Sequence, residues 1–169
     1  MKYVFLAPLA TTVVLLQVAA APYFPLMGAT ANPLLVLLMC WAMVRGPREA
    51  MVLIPLTAIF KDLTTNDPVG VSLLALLPIV PLAAVRERHL TQSEFVPIVV
   101  VVVVASISYH LIYMVVLTSL GDDVAWAQSP LRVILPAAAL DAVLTPLFYL
   151  PLRWATTVTE GRARLRIAG

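Results

Sequence analysis

The sequence predicts an all-α integral membrane protein with six transmembrane helices, and three observations predict it. The chain has 169 residues, 62% of them hydrophobic and only 12% charged, which is too little polar surface for a soluble domain of this size. Its apolar residues fall into six runs, and most of the charges lie in the short breaks between them. When the runs are threaded back and forth, nine of the eleven Lys and Arg residues fall on one side. No segment is long enough for a separate soluble domain, so residues 1–169 form a single transmembrane unit ending in a basic tail at 153–169.

A span needs roughly 20 apolar residues to cross a ~30 Å hydrocarbon core. The first candidate covers residues 3–21. With Lys2 before it and Ala19-Ala20-Ala21 at its end, it could be read as a signal peptide. It is long enough to span, however, and the helix count favours keeping it. The second span covers 29–44, with Pro33 in its first turn, and the third covers 49–63, with Pro55 inside. Both are short, so they are either tilted or do not cross fully. The fourth covers 69–85, and Pro78 and Pro81 predict kinks in it. The fifth, 95–120, is the longest and richest in valine. The sixth, 131–152, contains Pro136, Pro146 and Pro151. The valine run 99–104 favours strand in water, but in lipid it must be a helix or part of a closed barrel. The chain lacks the ten-residue alternation of a barrel.

Lys2, Arg45, Arg48, Arg86, Arg88, Arg153, Arg162, Arg164 and Arg166 lie on one side, and only Lys61 and Arg132 on the other. The basic side is then cytoplasmic and both termini lie there. Asp67, Asp122 and Asp123 fall in the outer loops, with Asp62 at the edge. Tyr23, Phe24 and Trp126 suit the outer interface, and Trp41 and Trp154 the inner one. The tail Arg153 to Arg166 suits anionic headgroups, with docking of a cytoplasmic partner as the sharper alternative.

No HExxH, GxxxxGK[ST], GxSxG or CxxC motif is present. The lone Cys40 permits no intrachain disulfide and reads as a small buried residue. The chain is therefore not expected to be an enzyme, to need a cofactor or metal, or to bind nucleic acid.

Three polar constellations interrupt the apolar runs. Ser106, His110 and Tyr113 share one face of span five. Asp141 and Thr145, with Tyr149 a turn further on, share a face of span six. A carboxylate inside a span costs roughly 2.5–3.5 kcal/mol on insertion scales, so Asp141 should face other helices or a wet cavity. The ordinary reading is a polar bridge locking two helices, with Ser106, His110 and Tyr113 of span five as the candidate partners; the sharper reading is a proton relay or ligand contact. The third constellation runs from Lys61 and Asp62 through Asn66, Asp67 and Pro68 to Gly70. Asp67-Pro68 reads as a turn, Gly70 as the close start of span four, and Asp62 as either a loop cap or a functional group.

This pattern resembles the rod shape-determining MreD family over most of the chain. The most specific piece is Asp62-Leu63, the polar loop to Gly70, and then Val71-Ser72-Leu73-Leu74-Ala75-Leu76. Gly28 followed by Pro33, and the ending Leu147-Phe148-Tyr149-Leu150-Pro151-Leu152-Arg153, are similar too. The chain departs from the family at Leu34, where an acidic residue is common, at Pro55 and Ala58, where glycines are common, and at Lys61. The resemblance implies a non-catalytic scaffold in the inner membrane of rod-shaped bacteria, within the machinery of lateral peptidoglycan synthesis. Its implied partners are an MreC-like membrane protein, the RodA and penicillin-binding-protein synthase pair, and the MreB filament. The family also resembles the six-helix substrate-binding subunits of energy-coupling-factor vitamin transporters, which supplies the rival reading. A third reading, a small channel or proton-coupled transporter using Asp141, lacks polar residues repeated on several helices.

Overall fold

The computed structural model describes residues 15, 31–65, 68–89, 95–121 and 133–167. Among them the protein is all helical, with no strand. The helices are α1 (Pro33–Arg45), α2 (Pro47–Thr65), α3 (Val71–Leu76), α4 (Ile79–His89), α5 (Phe95–Ser119) and α6 (Leu135–Ile167). The expected first span, 3–21, lies outside the described residues apart from Leu15, as do Asn66, Asp67 and Arg132.

Helix α1 is the centre of the bundle. Every residue from 34 to 42 is buried, and the helix packs against α2, α4, α5 and α6. A helix that is apolar all round needs such enclosure. It starts at Pro33, later than the expected 29, because Asn32 caps it and Pro33 supplies a ready N1 residue with no N–H to satisfy. It stops at Gly46, whose φ of 98° lets the chain turn at once into Pro47 of α2.

Helix α2 runs through Pro55 and extends past the expected 49–63 at both ends. Its 19 residues reach about 28 Å. The expected fourth span is two helices. Pro78 and Pro81 cannot donate to the carbonyls of Leu74 and Leu77. The N–H groups of Leu77 and Val80, each one residue earlier, take those acceptors instead at 3.3 and 3.2 Å. The chain therefore tightens at the break without leaving either carbonyl bare.

Helices α5 and α6 contain the two segments long and apolar enough to cross a bilayer, Val96–Ser119 and Leu135–Ala155. Helix α6 passes Pro146 and Pro151 unbroken and carries the basic tail on to Ile167 as helix.

The surface reverses the usual polarity. Val52, Leu56, Ile59 and Leu63 of α2, Val96, Val100, Val104 and Val115 of α5, and Val143, Leu147 and Leu150 of α6 are exposed. Asp62, Ser72, Ser106, Asp141 and Thr145 are buried. Several hydroxyls in the apolar helices return to the carbonyl four residues back: Thr57 to Leu53, Ser108 to Val104, Thr118 to Met114 and Ser119 to Val115, at 2.8–2.9 Å. Such bonds satisfy a hydroxyl where no water is available.

Candidate functional site

Asp141 is fully buried on α6, and both of its carboxylate oxygens accept hydrogen bonds from other helices. The Asn32 backbone N–H donates to Oδ1 at 2.7 Å, and the Ser106 hydroxyl donates to Oδ2 at 2.6 Å. Asn32 begins α1, and its own side-chain Oδ1 accepts the N–H of Leu35 at 3.2 Å. One carboxylate thus ties the N-terminus of α1 and the middle of α5 to α6. An acidic group at a helix N-terminus also meets the positive end of the helix dipole. Thr145 donates back to the Asp141 carbonyl at 2.9 Å, and the Cys40 thiol lies 3.9 Å from the Thr145 carbonyl.

His110 does not bond to Asp141. Its Nδ1 lies 2.8 Å from the Ser106 carbonyl, one turn back on the same helix. A carbonyl can only accept, so Nδ1 carries the proton. Of the three candidates on this helix, Ser106 is the one that bonds to Asp141. Tyr113 is half-buried, its ring stacked on Tyr109 with centroids 5.8 Å apart.

Asp62 makes the second cap. Its Oδ2 accepts the Gly70 N–H at 2.7 Å and its Oδ1 the Ser72 N–H at 3.2 Å. These are among the N–H groups that α3 leaves without helical partners at its start. Gly70 itself has φ 104°, while a Cβ built there would meet nothing within 4 Å. The glycine is needed for its left-handed backbone, not for space. Pro68 is exposed, and its carbonyl accepts the Val71 N–H at 3.2 Å.

Lys61, adjacent to Asp62, is also buried and donates to the Tyr109 hydroxyl. It had been counted among the charges on the outer side; it lies inside the bundle. Away from these groups, where α1 meets α2, the Trp41 indole N–H, Arg45 Nε and Glu49 Oε2 are buried without hydrogen-bond partners, and the Arg45 guanidinium lies 5.6 Å from the Trp41 ring centroid.

Sequence reasoning missed Asn32 and Tyr109. Asn followed by Pro at the start of an apolar run was a legible cap signal. Tyr109 carried none beyond the general need of a buried phenol for a partner. Chemically, the two carboxylates are occupied as acceptors that fix helix ends. Among the described residues no group of three His, Cys, Asp or Glu side chains could hold a metal. Comparison with family models, with characterised proteins and with solved structures gave no match.

Proposed function

We propose that the chain is a six-span, non-catalytic scaffold of the bacterial inner membrane, with both termini cytoplasmic, acting in the machinery of cell elongation. The observation that carries this reading is the stretch that gives the sequence its resemblance to the MreD family. There Asp62 accepts the Gly70 and Ser72 N–H groups, tying the end of α2 to the start of α3. A fixed junction of two helices suits a scaffold, and Asp141 is likewise engaged in bracing helices rather than poised for chemistry. By the resemblance, the partners are an MreC-like membrane protein, the RodA and penicillin-binding-protein pair, and the MreB filament.

The competing reading is the substrate-binding subunit of an energy-coupling-factor vitamin transporter. The buried Lys61 with Tyr109 and Tyr113 favours it, since aromatic rings around a few polar groups suit a small ligand. A pull-down of the full chain from mild detergent separates the two. Recovery of cell-wall elongation proteins is expected; recovery of paired ATPases with a shared coupling subunit would reject the scaffold in favour of transport.

A further inference from the structure

Lys61 lies one turn before the end of α2, roughly 6 Å along the axis from Thr65. A lysine so placed can run its long stem outward and leave its ammonium in a polar interface. Here it turns inward and is only 7% exposed. A buried charge normally finds a counter-charge. The neighbouring Asp62 does not supply one, because its oxygens face Gly70 and Ser72. No carboxylate among the described residues pairs with Lys61.

Its surroundings are aromatic. The ammonium donates to the Tyr109 hydroxyl and lies 4.9 Å from the Tyr109 ring centroid and 5.7 Å from that of Tyr113. His110 stands edge-on to Tyr109, with centroids 5.3 Å apart. Ring faces attract a cation but accept its N–H bonds poorly. An ammonium has three N–H donors and Tyr109 takes one. The Tyr109 hydroxyl, accepting from Lys61, has its own proton to give, and no described residue accepts it. Among the described residues, the Tyr109 oxygen is the one hydrogen-bond acceptor given to this positive charge. Helices α2 and α5, which carry these two residues, both pack on α3.

We propose that Lys61 and Tyr109 form a binding site for a phosphate group. Lysine is a compact point charge suited to phosphate, and the phenol supplies a second donor. Lys61 stands one turn from the end of α2, and the phosphate would come either from a lipid headgroup or from a soluble phosphate. The proposal does not rest on the scaffold reading, and it concerns the same cluster that favours the transporter reading.

The test uses the full chain in nanodiscs of three kinds: phosphatidylcholine alone, phosphatidylcholine with phosphatidylglycerol, and phosphatidylcholine alone with added inorganic phosphate. The melting temperature of wild type should rise over the first condition. A rise with phosphatidylglycerol only identifies a lipid as the source of the phosphate; a rise with inorganic phosphate identifies a soluble one. Lys61→Met should abolish the rise, and it should still fold because it replaces a buried charge, which no described carboxylate pairs, with an apolar side chain of similar length. Tyr109→Phe, which keeps the charge, should reduce the rise and preserves the test if Lys61→Met is unstable. No rise in wild type, or a rise of wild-type size in either variant, overturns the proposal.

Discussion

At the scale of single residues, the two donors on Asp141 differ in what they tolerate. The Asn32 N–H can only donate, whereas the Ser106 hydroxyl can donate or accept. An amide in place of the carboxylate can keep its oxygen toward Asn32 and turn its NH2 toward Ser106, which then accepts. Asp141→Asn is therefore expected to melt in detergent close to wild type and to retain the proposed scaffold activity. Asp141→Leu strands the Asn32 N–H, at about 1–3 kcal/mol, while the Ser106 hydroxyl can turn back to a carbonyl of its own helix. It should lower the detergent melting temperature clearly. If both variants fold normally yet lose all function equally, the carboxylate acts through its proton and the bracing role is wrong. The sequence showed that Asp141 needed a partner but not which one. His110 and Ser106 both lie on one face of α5, and only the offset between α5 and α6 puts Ser106 against the carboxylate.

At the scale of elements, the start of α3 rests on two separate supports. One is the Asp62 carboxylate, brought from a different helix; the other is the left-handed backbone of Gly70. Asp62→Ala removes an acceptor from two N–H groups and should cost about 0.5–2 kcal/mol, the range for a lost cap. Faster hydrogen exchange over residues 70–76, with α5 unchanged, is the expected result; unchanged exchange there would mean the cap is dispensable. At Gly70 a side chain has room but the backbone does not suit it. Gly70→Val should destabilise more than Gly70→Asn, because Asn tolerates left-handed backbone and a β-branched residue does not. Equal melting temperatures for the two would rule out the backbone explanation. Proline positions made the break in the fourth apolar run legible in the sequence. They could not show that the helix resumes within a residue or two, since that depends on earlier N–H groups reaching the freed carbonyls.

At the scale of the molecule, the helical class and the outward apolar faces were legible, because composition and run length alone demand them. The enclosure of α1 was not. Its thirteen residues read like any short apolar run, and only the packing of four other helices distinguishes it from a lipid-facing one. The six-span orientation is open to a direct check. Cysteines introduced at Gly121 and Gly161 should react with impermeant reagents from opposite sides of the membrane. Reaction of both from the outside would defeat the proposed topology.

The enclosure of α1 also sets an order of assembly. The acceptor for the Asn32 N–H stands 109 residues later in the chain. While the protein is being made, α1 leaves the ribosome well before α6 exists to cap or cover it. At about 20 Å it is too short to cross a ~30 Å core comfortably by itself. A nascent chain halted before residue 141 should therefore be an early target for membrane quality-control proteases, and one that has passed it should not.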